Sequence, residues 1–180
     1  GVWIMAYTTI DDPSVYFQTL LYTGDGNDDR NLVNTGNSDL QPDWIWIKDR
    51  DNARSHEIYD SSRGATKRIQ SDSNGAESTQ ANNLQAFQSD GFQIGSGNGV
   101  NQASQTLVAW QWKANGGTTT SNSSGSNGAE ADSVYQVNNT AGFSIGTYTG
   151  GGGGTFNVAI YTGLSAACEA VIVKNRDSSA

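Results

Sequence analysis

Shifted by 126 positions, the chain falls on itself. Phe143 lands on Phe17, Tyr148-Thr149-Gly150 on Tyr22-Thr23-Gly24, Gly152 on Gly26 and Asn157 on Asn31. Further along, Val171-Ile172-Val173-Lys174 lands on Ile45-Trp46-Ile47-Lys48, and Arg176-Asp177 on Arg50-Asp51. No gap is needed, because 26 residues separate Tyr from Lys in both copies. Such self-similarity marks two units of one design, so a position's role in one copy has to be possible in the other. That decides the five-glycine run of 148-YTGGGGGTFN-157. The first copy fills the same frame with Asp25, Asn27, Asp28 and Asp29, which would repel a phosphate. A frame that accepts either filling is a turn leaving a strand, where Gly, Asn and Asp tolerate positive φ. No GK[ST] or following helix supports a phosphate loop.

Between the copies runs 114-ANGGTTTSNSSGSNGAEADS-133, nearly pure Gly, Ser, Thr and Asn. It reads as a linker. The expected organisation is a domain at residues 1–115, a linker at 116–139, and the beginning of an incomplete second copy at 140–180. Two strands cannot bury a core alone, so the natural chain is expected to continue past Ala180 or to pack its remnant on the first domain or a neighbouring subunit. Met5 opens a natural-looking start, so Gly1–Ile4 reads as an upstream extension.

Strand signals dominate. Val15–Tyr22, Asp43–Lys48, His56–Tyr59, Gly91–Gly95 and Gln105–Lys113 are short apolar runs or alternations bounded by turn residues. Helical periodicity is nearly absent, and Ala76–Phe87 is polar on most faces and reads as loop. Both faces of DWIWIK are apolar, which suits a central strand. In QTLVAWQWK, Leu107, Ala109 and Gln111 alternate with Val108, Trp110 and Trp112, and the tryptophan face is expected to be buried. The fold class expected is an all-β antiparallel sandwich.

Composition narrows the functions. A net charge of −8 and a pI near 4.4 argue against nucleic acid as partner. A single cysteine, Cys168, forbids an intrachain disulfide, and with one histidine, His56, most triads and metal sites fall away. No apolar run approaches a membrane span and no secretory signal is seen. Asp25, Asp28 and Asp29 are the candidate calcium ligands, but they lack EF-hand spacing, and a solvated acidic turn is preferred, so no metal or cofactor is expected. His56 has Ser55, Glu57 and Asp60 close in sequence, yet no G-x-S-x-G elbow accompanies them. Cys168 aligns with Pro42 and reads as a packing cysteine. Glu57, Glu77 and Glu130 lie in or beside loops, which leaves no clear carboxylate pair for glycoside hydrolysis. Trp44, Trp46, Trp110 and Trp112 are the candidate ligand-binding residues, able to stack on sugar rings if exposed, although such residues more often fill a core.

The series QPDWIWIK, DSSRGATK and SDGF…VAWQWKA resembles a domain of marine bacteriophage structural proteins, chiefly tail fibre and tail appendage proteins. The resemblance covers residues 5–117 and resumes at 141–180, and this domain is often found in tandem with Gly/Ser-rich linkers. It implies a concanavalin-A-like jelly-roll sandwich and no catalytic residues. The expected function is therefore a non-catalytic virion component, made in the bacterial host cytoplasm, that attaches the particle to its host. Expected partners are further copies of the chain (a homotrimer), other tail proteins and a host glycan or receptor. A carbohydrate-binding module of a secreted protein, a capsule depolymerase and a capsid decoration or head-fibre protein are the alternatives.

Overall fold

The computed structural model describes residues 10–123, 131–150 and 159–177. Gly1–Ile4, Glu130, Gly152, Asn157 and Ala180, each singled out above, lie outside these. The first strands are β1 (Phe17–Thr23), β2 (Arg30–Leu32), β3 (Trp44–Asp49), β4 (Glu57–Asp60), β5 (Lys67–Arg68) and β6 (Ser78–Thr79). They are followed by β7 (Leu84–Gln88), β8 (Gly91–Ile94), one helical turn α1 (Asn98–Asn101) and β9 (Thr106–Trp112). Then come β10 (Thr120–Asn122), β11 (Ser133–Asn138) and β12 (Phe143–Tyr148). The fold is all-β, and every strand pairing among the described residues is antiparallel.

The largest sheet has the order β1-β9-β3-β4, and a second has the order β2-β8-β7. Apolar side chains from both meet between them: Leu20, Ile45, Ile47, Leu107 and Ala109 from the first, Leu32, Leu84, Phe92 and Ile94 from the second. Burying that apolar area is the main term holding the two layers together. β3 is a central strand, as its doubly apolar pattern implied. The alternation in β9 resolves the other way from expectation. Leu107, Ala109 and Gln111 are fully buried, whereas Trp110 and Trp112 are half-buried on the outer face. Branched aliphatics fit the narrow space between two sheets. The wider indoles pack sideways on one another instead.

The stretch Ala76–Phe87, expected to be loop, contains β6 and most of β7. Strands β10 and β11 lie within 116–139, the stretch expected to be a linker, and form a third sheet of order β10-β11-β12. The 126-residue shift carries Phe17 to Phe143 and Tyr22 to Tyr148, so β12 matches β1 almost end to end. Residues 171–174, counterparts of central β3, form no strand and leave Val171, Ile172 and Val173 60–74% exposed. Cys168, expected to be packed, is exposed. No helix among the described residues is long and apolar enough to cross a membrane.

Candidate functional site

The outer face of the four-stranded sheet is an aromatic shelf. Antiparallel register sets Trp44 opposite Trp112 and Trp46 opposite Trp110, with Phe17 opposite Trp112 on the far side. Because side chains two apart share a face, these five rings lie together. Ring centroids are 4.7 Å apart for Trp44–Trp112, 5.9 Å for Trp44–Trp46, 6.1 Å for Trp46–Trp110 and 4.8 Å for Phe17–Trp112. His56 closes the row: its Nδ1 accepts from Trp46 Nε1 at 2.8 Å, which sets the imidazole as the Nε2–H tautomer. The structure thus brings together all four tryptophans named from the sequence, and adds His56.

The two ends of the shelf differ. Phe143 of β12 stacks on Trp44 at 5.9 Å and on Trp112 at 6.3 Å, so this end is a joint with the third sheet. Trp46 and Trp110 lie at the other end, and Leu21, opposite Val108 in the register, is 61% exposed. Indole faces held by neighbours on both sides are pre-set to receive a flat apolar surface.

The acidic turn is built differently from a metal site. Asp25 accepts from Asn27 N at 2.9 Å and from Asn101 Nδ2 at 3.0 Å, with Arg30 Nε at 3.5 Å. The Asn27 amide leads in holding the Asp25 carboxyl below the ordinary carboxylate range. Asp28 accepts from Gln85 Nε2, and Asp29 takes a positive φ of 56°. Buried Asn101 anchors the whole turn by also bonding Asn27 O and Gly95 O. Among the described residues no group of three or more His, Cys, Asp or Glu side chains converges as a metal site would require.

The motif DSSRGATK, specific but without obvious chemistry in sequence, is an ionic anchor. Arg63 is almost wholly buried and donates to Asp60, to Glu77 Oε2 at 2.9 Å and to Lys67 O at 3.0 Å. Arg176 reaches the same Glu77 at 2.9 Å, so one carboxylate ties the C-terminal segment to the turn after β4. Burial works to raise the Glu77 pKa, but the hydrogen bonds from Arg176 and Arg63 outweigh it and hold the carboxyl below its ordinary range. Ser61 and Ser62 both accept from Gln136 Nε2 at 2.8 Å, which fastens β11 to the turn after β4.

A buried polar triad was missed from sequence. Glu57 Oε2 accepts from Tyr59 O–H at 2.8 Å and from Asn83 Nδ2 at 3.2 Å, while Arg68 approaches Oε1 at 3.3 Å. The i, i+2 spacing of Glu57 and Tyr59 put them on one face, and that was the available signal. Burial leads in raising the Tyr59 phenol above its ordinary pKa, with the Glu57 charge second; burial likewise raises Tyr22.

These shifts fix the sign of the pH response. Raised phenols favour the protonated folded state, so stability is full below the unfolded tyrosine value of about 10 and falls above it. Depressed Glu77 contributes fully above about pH 4.3 and loses that contribution as pH falls through its folded value. Urea midpoints measured from pH 2 to 11 are expected to form a plateau bounded by those two declines. A midpoint still rising at pH 11 contradicts the tyrosine assignment.

No curated protein and no solved structure matches the chain. The model of the family DUF7483, described as a domain of unknown function, matches residues 12–180. The chain belongs to that family.

Proposed function

We propose that the chain is a non-catalytic bacteriophage structural module, a tail fibre or appendage component, that meets host-surface glycan through the Trp46–Trp110 end of the aromatic shelf. In this reading the two facing sheets are a concanavalin-A-like jelly roll, and residues 140–180 begin a second similar unit. The chain is made in the host cytoplasm, assembles as a homotrimer and takes its place on the virion beside other tail proteins. The observation that carries the glycan contact is the row of indoles on an outer sheet face with one end free of Phe143. The apolar C–H face of a pyranose matches such a surface, and each contact alone is weak. Repeated units on an oligomer raise the avidity without any tight single site.

The carboxylates fit the non-catalytic reading. Glu57 is the one acid lining its cleft, and both its oxygens are engaged, whereas glycoside hydrolysis calls for two facing carboxyl groups. The same shelf would serve a carbohydrate-binding module of a secreted protein, or a capsid decoration or head-fibre protein. Finding the chain at the tail of intact particles by cryo-electron microscopy decides for the first reading, and finding it at the head or off the particle decides against it.

The glycan contact has its own test. Trp46→Ala combined with Trp110→Ala is expected to weaken binding to purified host-surface polysaccharide at least tenfold, read by surface plasmon resonance, with the far-ultraviolet circular dichroism kept. Unchanged binding by the folded double variant removes the shelf from the contact.

A further inference from the structure

The two ends of the aromatic shelf are held by different forces. At one end Phe143 lies stacked on Trp44 and Trp112 and fixes those rings by contact. At the free end Trp46 meets Trp110 and the His56 ring edge-on, with centroids 6.1 and 5.6 Å away, and its Nε1–H donates to His56 Nδ1 at 2.8 Å. The torsion that turns an indole is broad, so the hydrogen bond sets which way Trp46 faces. An indole N–H only donates, and an imidazole accepts only through a nitrogen that carries no proton. Once protonated, His56 has two N–H donors and no acceptor, and the bond to Trp46 is lost. Histidine is the side chain whose charge changes between pH 5 and 8, and His56 is the one histidine in the chain.

Charged groups surround His56 from several elements. The register that sets Ile47 against Glu57 brings Lys48 of β3 level with His56. Lys48 Nζ donates to Asp49 O and Asn52 O, which keeps its charge at this end of β3. On the loop side Asp72 accepts the His56 backbone N–H at 3.1 Å. Of the flanking residues, Arg54 pairs with Asp49 at 3.4 Å, and Glu57 is turned to the opposite face, where Tyr59 and Asn83 bond it. β9 offers the uncharged Val108 and Trp110 at this level.

From these features we infer that His56 is a positioning residue for the free end of the shelf: neutral, it fixes Trp46 for binding, and protonated, it lets Trp46 go. The inference rests on the reading of the shelf as a glycan surface and adds to it a control by acid. An imidazolium at this place has Lys48 on the sheet and Asp72 off it, so it gains by turning from the indole toward the carboxylate. Trp46 then swings on its own torsion, and the pair with Trp110 no longer presents one surface to a sugar ring. The fold is kept, because β3 and β4 stay paired through their backbones. The expected loss is that of one ordinary hydrogen bond, roughly three- to tenfold in affinity.

The test is a nuclear magnetic resonance titration of the full chain from pH 8 to pH 5 without ligand, following the Trp46 Nε1–H and the His56 Cε1–H. Both resonances are expected to move with one midpoint. His56→Asn keeps an acceptor oxygen near the place of Nδ1 and takes up no proton, so the Trp46 resonance is expected to stay at its pH 8 position throughout. His56→Phe keeps a flat ring without an acceptor, and the Trp46 resonance is expected to lie toward its acid position already at pH 8. A Trp46 resonance that stays put in the native chain, or that still titrates in His56→Asn, overturns the inference. Binding to purified host-surface polysaccharide, read by surface plasmon resonance, is expected to fall roughly three- to tenfold from pH 8 to pH 5 in the native chain and to stay level in His56→Asn. Equal binding at both pH values while the indole titrates overturns the control of the glycan contact. No binding at either pH removes the glycan reading and the control built on it, while the indole titration separately upholds or overturns the hydrogen-bond switch.

Discussion

Asp43→Ala is expected to destabilise the protein by about 3 kcal/mol, a fall of roughly 6–12 °C in melting temperature for a chain of this size. Asp43 is fully buried, and its carboxylate accepts four hydrogen bonds. Oδ1 takes Ser61 Oγ at 2.6 Å and Gly117 N at 2.8 Å; Oδ2 takes Ala114 N at 2.7 Å and Gly116 N at 2.9 Å. Three backbone N–H groups from the end of β9's strand into the Gly/Ser-rich stretch thus converge on one side chain. Deleting it leaves the Ala114 N–H buried without an acceptor, whereas Gly116 and Gly117 are exposed and can turn to water. That difference keeps the expected loss below the sum of four charge-assisted bonds. Asp43→Asn retains one acceptor oxygen and is expected to lose about half as much. Differential scanning calorimetry measures both. A loss under 1 kcal/mol for the alanine variant would mean that the 114–117 turn holds its shape by other bonds.

A larger effect is expected at Arg63. Arg63→Met removes the cation from a site where Arg63 and Asp60 side chains are only 3% and 5% exposed. Breaking a buried pair by deleting one member costs about 3–5 kcal/mol, most of it from the charge left behind. Glu77 keeps Arg176 and is not stranded, so Asp60 carries the penalty. The double variant Arg63→Met with Asp60→Leu is therefore expected to recover at least half of the loss, measured by urea unfolding in a double-mutant cycle. If the second substitution adds a further loss instead, the penalty lies in the Arg63 bonds to Lys67 O and Ile58 O and not in Asp60.

Five strands were legible because their apolar runs have no other use, whereas β7 and β11, set among polar residues, fell in stretches read as loop and linker. β1, β3, β4, β8 and β9 fall where Val15–Tyr22, Asp43–Lys48, His56–Tyr59, Gly91–Gly95 and Gln105–Lys113 were read. The repeat even located β12. Two- and three-residue polar strands such as β5, β6 and β10 have too few positions for any period to show. In β9 the alternation revealed two faces but not which one looks inward. Hydrophobicity favours the tryptophans for the core, yet the facing sheet admits Leu107, Ala109 and Gln111, the last held by a 2.6 Å bond to Asn34 Oδ1. The tryptophan candidates were therefore found by residue type, while their arrangement as a shelf came only from strand register. The Glu57–Tyr59–Asn83 triad stayed hidden for a related reason, since its third member is 26 residues away in sequence.

The seating of the third sheet has a mechanical consequence. Gln136 is 1% exposed and bonds Ser61, Ser62 and Gly117 at once, while Phe143 lies flat over two indoles and Glu77 grips Arg176. Contacts at three separated points resist both bending and twisting, so the segment that carries Gln136, Phe143 and Arg176 cannot swivel against the four-stranded sheet.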